Sequence, residues 1–87
     1  MTLAHIRNAV EMTAHPKLSQ LLVLLIEHGG LTINNVAPLL DLPPFVALRF
    51  ANHLVHLGYA TRVQDERYFA TSLGREIDAA MRSDSLR

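Results

Sequence analysis

The sequence predicts a mostly helical domain that carries one small β-hairpin. Three observations lead there. Apolar residues recur at three- and four-residue spacing from residue 2 to residue 57. Proline and glycine punctuate that pattern at His15-Pro16, Gly29-Gly30, Pro43-Pro44 and Gly58. After Gly58 the period changes to the alternation of a strand, and after Ser72 it returns to helical spacing.

Each element has a local reason. Residues 2–14 read as a helix that Thr2 caps, with Leu3, Ile6, Val10 and Thr13 at helical spacing. His15 precedes a proline and so avoids the α region, which stops that helix. Pro16 suits the first position of a second helix, which runs to about His28 with Leu18, Leu21, Leu22, Leu25 and Ile26 inward. Val23 and Leu24 make it apolar nearly all round, the mark of a helix buried on most of its circumference. Gly29-Gly30 supplies the left-handed cap. Thr32 caps a third helix, with Ile33, Val36, Ala37 and Leu40 on one face, and Pro38 keeps it short. Asp41-Leu42-Pro43 makes a tight turn, and a longer helix runs from Pro44 to about Leu57. Residues 59–63 and 67–71 form the hairpin. Thr71 or Ser72 caps a last helix to Arg82, with Leu73, Ile77 and Ala80 or Met81 inward and Gly74 weakening its first turn. Residues 83–87 read as a loose tail.

Bulk properties narrow the function classes. The 87 residues suit a single domain, and a chain this short gains from a dimer partner. The longest apolar run, Leu21 to Ile26, is far short of the roughly 20 residues of a membrane span. With no cysteine and no signal-peptide pattern, a soluble cytoplasmic protein is the expectation. Lysine plus arginine equals aspartate plus glutamate at eight each. Balanced charge weakens the case for nucleic acid unless the charges are segregated over the surface. The five histidines add positive charge in mildly acidic conditions.

Three helices followed by a two-stranded ribbon is the winged helix-turn-helix arrangement, here a three-helix core with extra N-terminal and C-terminal helices. Residues 16–62, with "LLVLLIEHGGLTINNVAPLLDLPP" and "LRFANHLVHLGYATR", resemble the DNA-binding domain of IclR-type bacterial regulators. Residues 59–82, with "RYFATSLGREIDAAM", resemble MarR-type winged helices, in which the second wing strand runs into a Leu-Thr-x-x-Gly-Arg motif. The resemblance implies sequence-specific binding to double-stranded DNA as a homodimer in a bacterial regulator. It places the helix at 44–57 in the major groove and the wing at 59–70 near the minor groove. The sequence departs from the IclR pattern at three places. Asp41 holds a turn position usually small, Pro44, Phe45 and Val46 replace polar residues, and Leu48 stands where a base-contacting residue is common. The effector domain of the IclR type has no counterpart here.

The candidate site residues follow from the helix at 44–57. Ala47, Phe50, Ala51, Leu54 and Leu57 face the core. Outward lie Phe45, Val46, Leu48, Arg49, Asn52, His53, Val55 and His56. Arg49 suits guanine or phosphate and Asn52 suits adenine, while His53 and His56 reach phosphates. Arg62 and Arg67 flank the hairpin tip, where they either contact DNA or pair with Asp65 or Glu66. Arg75 is set to pair with Glu76 or Asp78, and Tyr59 and Tyr68 as core rings. The apolar trio Phe45, Val46 and Leu48 suits a protein partner's pocket, cover by the chain's own N-terminal helix, or methyl-rich DNA, and the first of these makes a protein-interaction module the rival function. Leu3, Ile6 and Val10 form the expected dimer stripe. No nucleophile context, phosphate loop or metal-ligand set is present, so no enzyme activity, cofactor or metal is expected; His53 and His56 lack further ligands. Target site, sign of regulation and effector are not encoded in any visible pattern.

Overall fold

The computed structural model describes residues 15–64 and 66–85, with side chains given as far as residue 82. Four helices and a two-stranded hairpin follow one another: α1 (Pro16–His28), α2 (Ile33–Leu40), α3 (Pro44–His56), β1 (Ala60–Arg62), β2 (Tyr68–Ala70) and α4 (Ser72–Ser85). The helix expected at 2–14, with its Leu3, Ile6 and Val10 stripe, lies outside the described residues.

Local chemistry starts and stops each helix. Pro16 occupies the first turn of α1, where its missing N–H costs nothing. The left-handed Gly29 ends that helix, its N–H donating to Leu25 O at 3.1 Å. Thr32 caps α2 through a capping box with Asn35, the Asn35 N–H donating to Thr32 Oγ1 at 3.3 Å. The helix is only eight residues long and contains Pro38. Its C-terminus is a Schellman turn, with Leu42 N–H donating to Ala37 O at 3.0 Å and Asp41 N–H to Pro38 O at 3.3 Å. Asp41 sits there at φ 56, a left-handed conformation that glycine adopts at less cost. The α3 helix begins without a side-chain cap because Pro43 and Pro44 preset its first dihedrals. It ends in another Schellman turn, with Tyr59 N–H donating to Leu54 O at 2.9 Å and Gly58 at φ 83.

The hairpin is antiparallel, pairing Ala60 with Ala70, Thr61 with Phe69 and Arg62 with Tyr68. Its strands are two residues shorter than the sequence pattern suggests. Leu31, just before α2, also joins the sheet. It forms an antiparallel bridge with Tyr68, donating to Tyr68 O at 3.1 Å and accepting from Tyr68 N–H at 2.8 Å. The last helix extends to Ser85, so residues 83–85 continue α4 rather than beginning a tail.

One core runs through the domain. Leu18, Leu21, Leu22 and Leu25 of α1 meet Val36, Ala37 and Leu40 of α2 and Ala47, Ala51 and Leu54 of α3. Tyr59, Ala60, Tyr68 and Ile77 close it from the wing and α4. Val23, Leu24 and Ile26 are half-buried rather than fully enclosed. Lys17 braces the helical layer: its ammonium donates to Leu40 O at 2.6 Å, satisfying a carbonyl at the C-terminus of α2.

The junction of wing and α4 reverses one expectation. Gly74, a weak helix residue by propensity, is buried, and a Cβ there would collide with the Tyr59 carbonyl oxygen. Close packing therefore requires glycine at that position. Thr71 caps α4, its hydroxyl accepting from Gly74 N–H at 3.0 Å and donating to Gly58 O at 2.7 Å.

Candidate nucleic-acid interface

The core side of α3 is fixed by Ala47, Ala51 and Leu54, which are fully buried against α1 and α2. Helical geometry then turns the opposite face outward. Phe45 is 65% exposed and Leu48 39% exposed, and Arg49, Asn52, Val55 and His56 are exposed too. Val46 and His53 are half-buried on the flank of the same face. All the α3 residues expected in a site therefore share one surface. Its first turns are apolar and its later turns polar.

The wing stands beside this face. Arg62 and Glu66 form an exposed ion pair, Nη2 to Oε1, at 3.3 Å. Arg62 thus pairs with Glu66, one of the two carboxylates the sequence offered it. An exposed pair of this kind contributes about 0–1 kcal/mol, so the arginine can exchange a carboxylate for a phosphate. Arg67 is exposed at the base of the same turn, its carbonyl accepting from Val63 N–H at 3.0 Å. Glu66 holds a left-handed φ of 63 at the turn. Arg75 is exposed on α4, and Asp78 pairs with Arg82 at 3.1 Å instead of with Arg75.

Between α3 and the wing lies a cleft of about 370 Å³, bounded by Thr32, Ile33, Asn34, Pro44, Phe45, Leu48, Asn52, Arg62, Glu66 and Tyr68. A second cleft of about 670 Å³ lies along His15, Leu18, Val46, Arg49, Phe50, Asn52 and His53. Asn52 borders both and forms the ridge between them. Its amide is not a free rotor: the Tyr68 hydroxyl donates to Asn52 Oδ1 at 2.9 Å. Tyr68 is 1% exposed, so the hydrogen bond ties α3 to the sheet from beneath. Sequence spacing gave no sign of this contact, because the two residues are 16 positions apart and meet only through the hairpin. The Tyr59 hydroxyl is also buried, and has no partner among the described residues.

The charge pattern is segregated along the chain. Between residues 28 and 64 the single carboxylate is Asp41, so neither α2 nor α3 carries an acid. The remaining carboxylates lie at Glu11, Glu27, the wing tip and α4. No three histidine, cysteine or acidic side chains come together as metal ligands among the described residues. No helix of those residues is long and apolar enough to cross a membrane.

The helix-turn-helix of α2 and α3, the hairpin and the closing α4 define a winged-helix domain. A crystal structure of a MarR family transcriptional regulator from Streptomyces coelicolor has the same fold, with a TM-score of 0.76 over 95% of this chain and 22% sequence identity. The chain spans 60% of the length of that protein. Neither a family model nor a curated protein sequence matches the chain. The neighbour agrees with the MarR-type likeness of residues 59–82, and the IclR-type likeness of residues 16–62 gains no support from it.

Proposed function

We propose that this chain is a sequence-specific DNA-binding transcriptional regulator that lays α3 in the major groove and its wing beside the minor groove. The observation that carries this reading is the exposed, carboxylate-free outer face of α3 set beside an arginine-bearing wing in a winged-helix frame. Arg49, Asn52 and His53 face the base edges, with His56 near the backbone. Arg62 and Arg67 hold the wing to phosphates, Arg62 by releasing Glu66. Occupancy of the site then blocks or recruits other proteins. The structural neighbour's description as a transcriptional regulator supports the reading.

The apolar pattern at Leu3, Ile6 and Val10 supports a homodimer, which sets two reading helices about one DNA turn, roughly 34 Å, apart. A cytoplasmic location accompanies this function. The 65% exposure of Phe45 favours the rival, a winged helix that docks on a protein through Phe45, Val46 and Leu48.

The test is anisotropy of the purified protein with a random duplex pool across a salt series. Phosphate contact gives a linear fall of log affinity with log salt. Absence of binding at low salt sinks the DNA reading and leaves the protein-interaction module.

A further inference from the structure

Phe45, Leu48 and Asn52 stand at i, i+3 and i+7 of α3, one stripe along its outer face, and all three border the cleft beside the wing. The stripe thus offers two apolar side chains followed by an amide. Tyr68 decides what that amide offers. Its hydroxyl, held in the core, engages Asn52 Oδ1 at 2.9 Å, which leaves the Nδ2 hydrogens as the group turned to a ligand.

Resting on the DNA reading, we infer that this stripe selects thymine. Thymine presents a C5 methyl group next to the O4 acceptor in the major groove, so one base meets Leu48 and the amide donor, which are one turn apart, and Phe45, about 10 Å from Asn52 along the helix, meets the methyl of a neighbouring base. Adenine needs the amide oxygen for its N6 hydrogens as well as the nitrogen for N7, and that oxygen is turned to Tyr68. Cytosine sets its N4 donor against the Nδ2 donor. Guanine accepts the donor and leaves Phe45 and Leu48 without an apolar partner. The absence of carboxylates from α2 and α3 lets the phosphates flanking such a base approach. Tyr68 is then a positioning residue for specificity, and Phe45 and Leu48 are methyl-reading residues rather than an unexplained apolar patch.

The test starts from duplexes selected by the full chain from a random pool. In the best site, thymines are replaced one at a time by deoxyuridine, which removes only the methyl group. Affinity falls about fourfold for each methyl contacted. The Phe45→Ala, Leu48→Ala double variant binds the two duplexes equally. Tyr68→Phe releases the amide, so repeat selection admits adenine where the parent takes thymine. A merely structural role for Tyr68 lowers the melting temperature and leaves base preference unchanged, which overturns its assignment. Salt-dependent binding that ignores deoxyuridine at every position overturns the thymine inference and leaves the DNA function standing. Absence of salt-dependent binding to any duplex overturns both and gives the Phe45 face to a protein partner.

Discussion

At the root of the wing, residues are specified by what they touch. Gly74 lies against the Tyr59 carbonyl, the Thr71 hydroxyl bridges Gly58 O and Gly74 N–H, and Thr71 N–H donates to Tyr59 O at 3.0 Å. The outer face of α3 is the opposite case: Phe45, Leu48 and Arg49 are exposed, and Asn52 is tied inward by a single hydrogen bond to Tyr68. The difference separates two kinds of constraint. Residues at the root are dictated by backbone approach and polar satisfaction, which any winged helix of this geometry must meet. The residues on the face contribute little to folding, so substitutions there leave the fold standing.

The sharpest way to break the root is Gly74→Ala. The added methyl meets backbone rather than a yielding side chain, so stability falls by about 3 kcal/mol, read as a lower denaturant midpoint. Outside the root, Arg49→Ala on the α3 face with Arg67→Ala on the wing acts on binding instead. It weakens DNA affinity by about 2 kcal/mol and flattens the salt slope, with the denaturation midpoint nearly unmoved. A silent double variant sinks the assignment of these arginines. Thr71→Ala returns to the root with a smaller effect, removing a helix cap and the bond to Gly58 O at a cost of about 1 kcal/mol; Thr71→Ser retains both. The smallest effect belongs to the turn between α2 and α3. Asp41→Gly relieves the left-handed φ of 56 and raises stability by about 0.5 kcal/mol, measured in the same denaturation series. A loss there would mean that the Asp41 side chain contributes more than its backbone strain removes.

Much of the fold was legible before any coordinates. Helical spacing in 16–28 and 44–57, the prolines at their starts and the change of period after Gly58 specified the elements and their order. The outward set of α3 was legible too, because helical periodicity divides a helix into faces without knowledge of its neighbours. Arg62 was left between two partners, and the structure puts Glu66 against it. Gly74 reads only as a weak helix residue because propensity weighs a residue against its own helix, whereas its reason lies at the Tyr59 carbonyl at the start of the wing. Leu31 was missed as a sheet residue because a single bridge has no period to detect.

By itself, then, the sequence determined the element types, the capping at Thr32, the core face of each helix and the charge segregation along the chain. These are local properties, set by backbone preferences and by spacing within a turn or two. The tertiary structure alone decided the contacts between distant positions: the Lys17 ammonium on Leu40 O, the Tyr59 carbonyl over Gly74, and the Tyr68 hydroxyl that orients Asn52. Those depend on how the hairpin folds back over the helices, and chain folding brings together groups whose sequence separation carries no periodic signal.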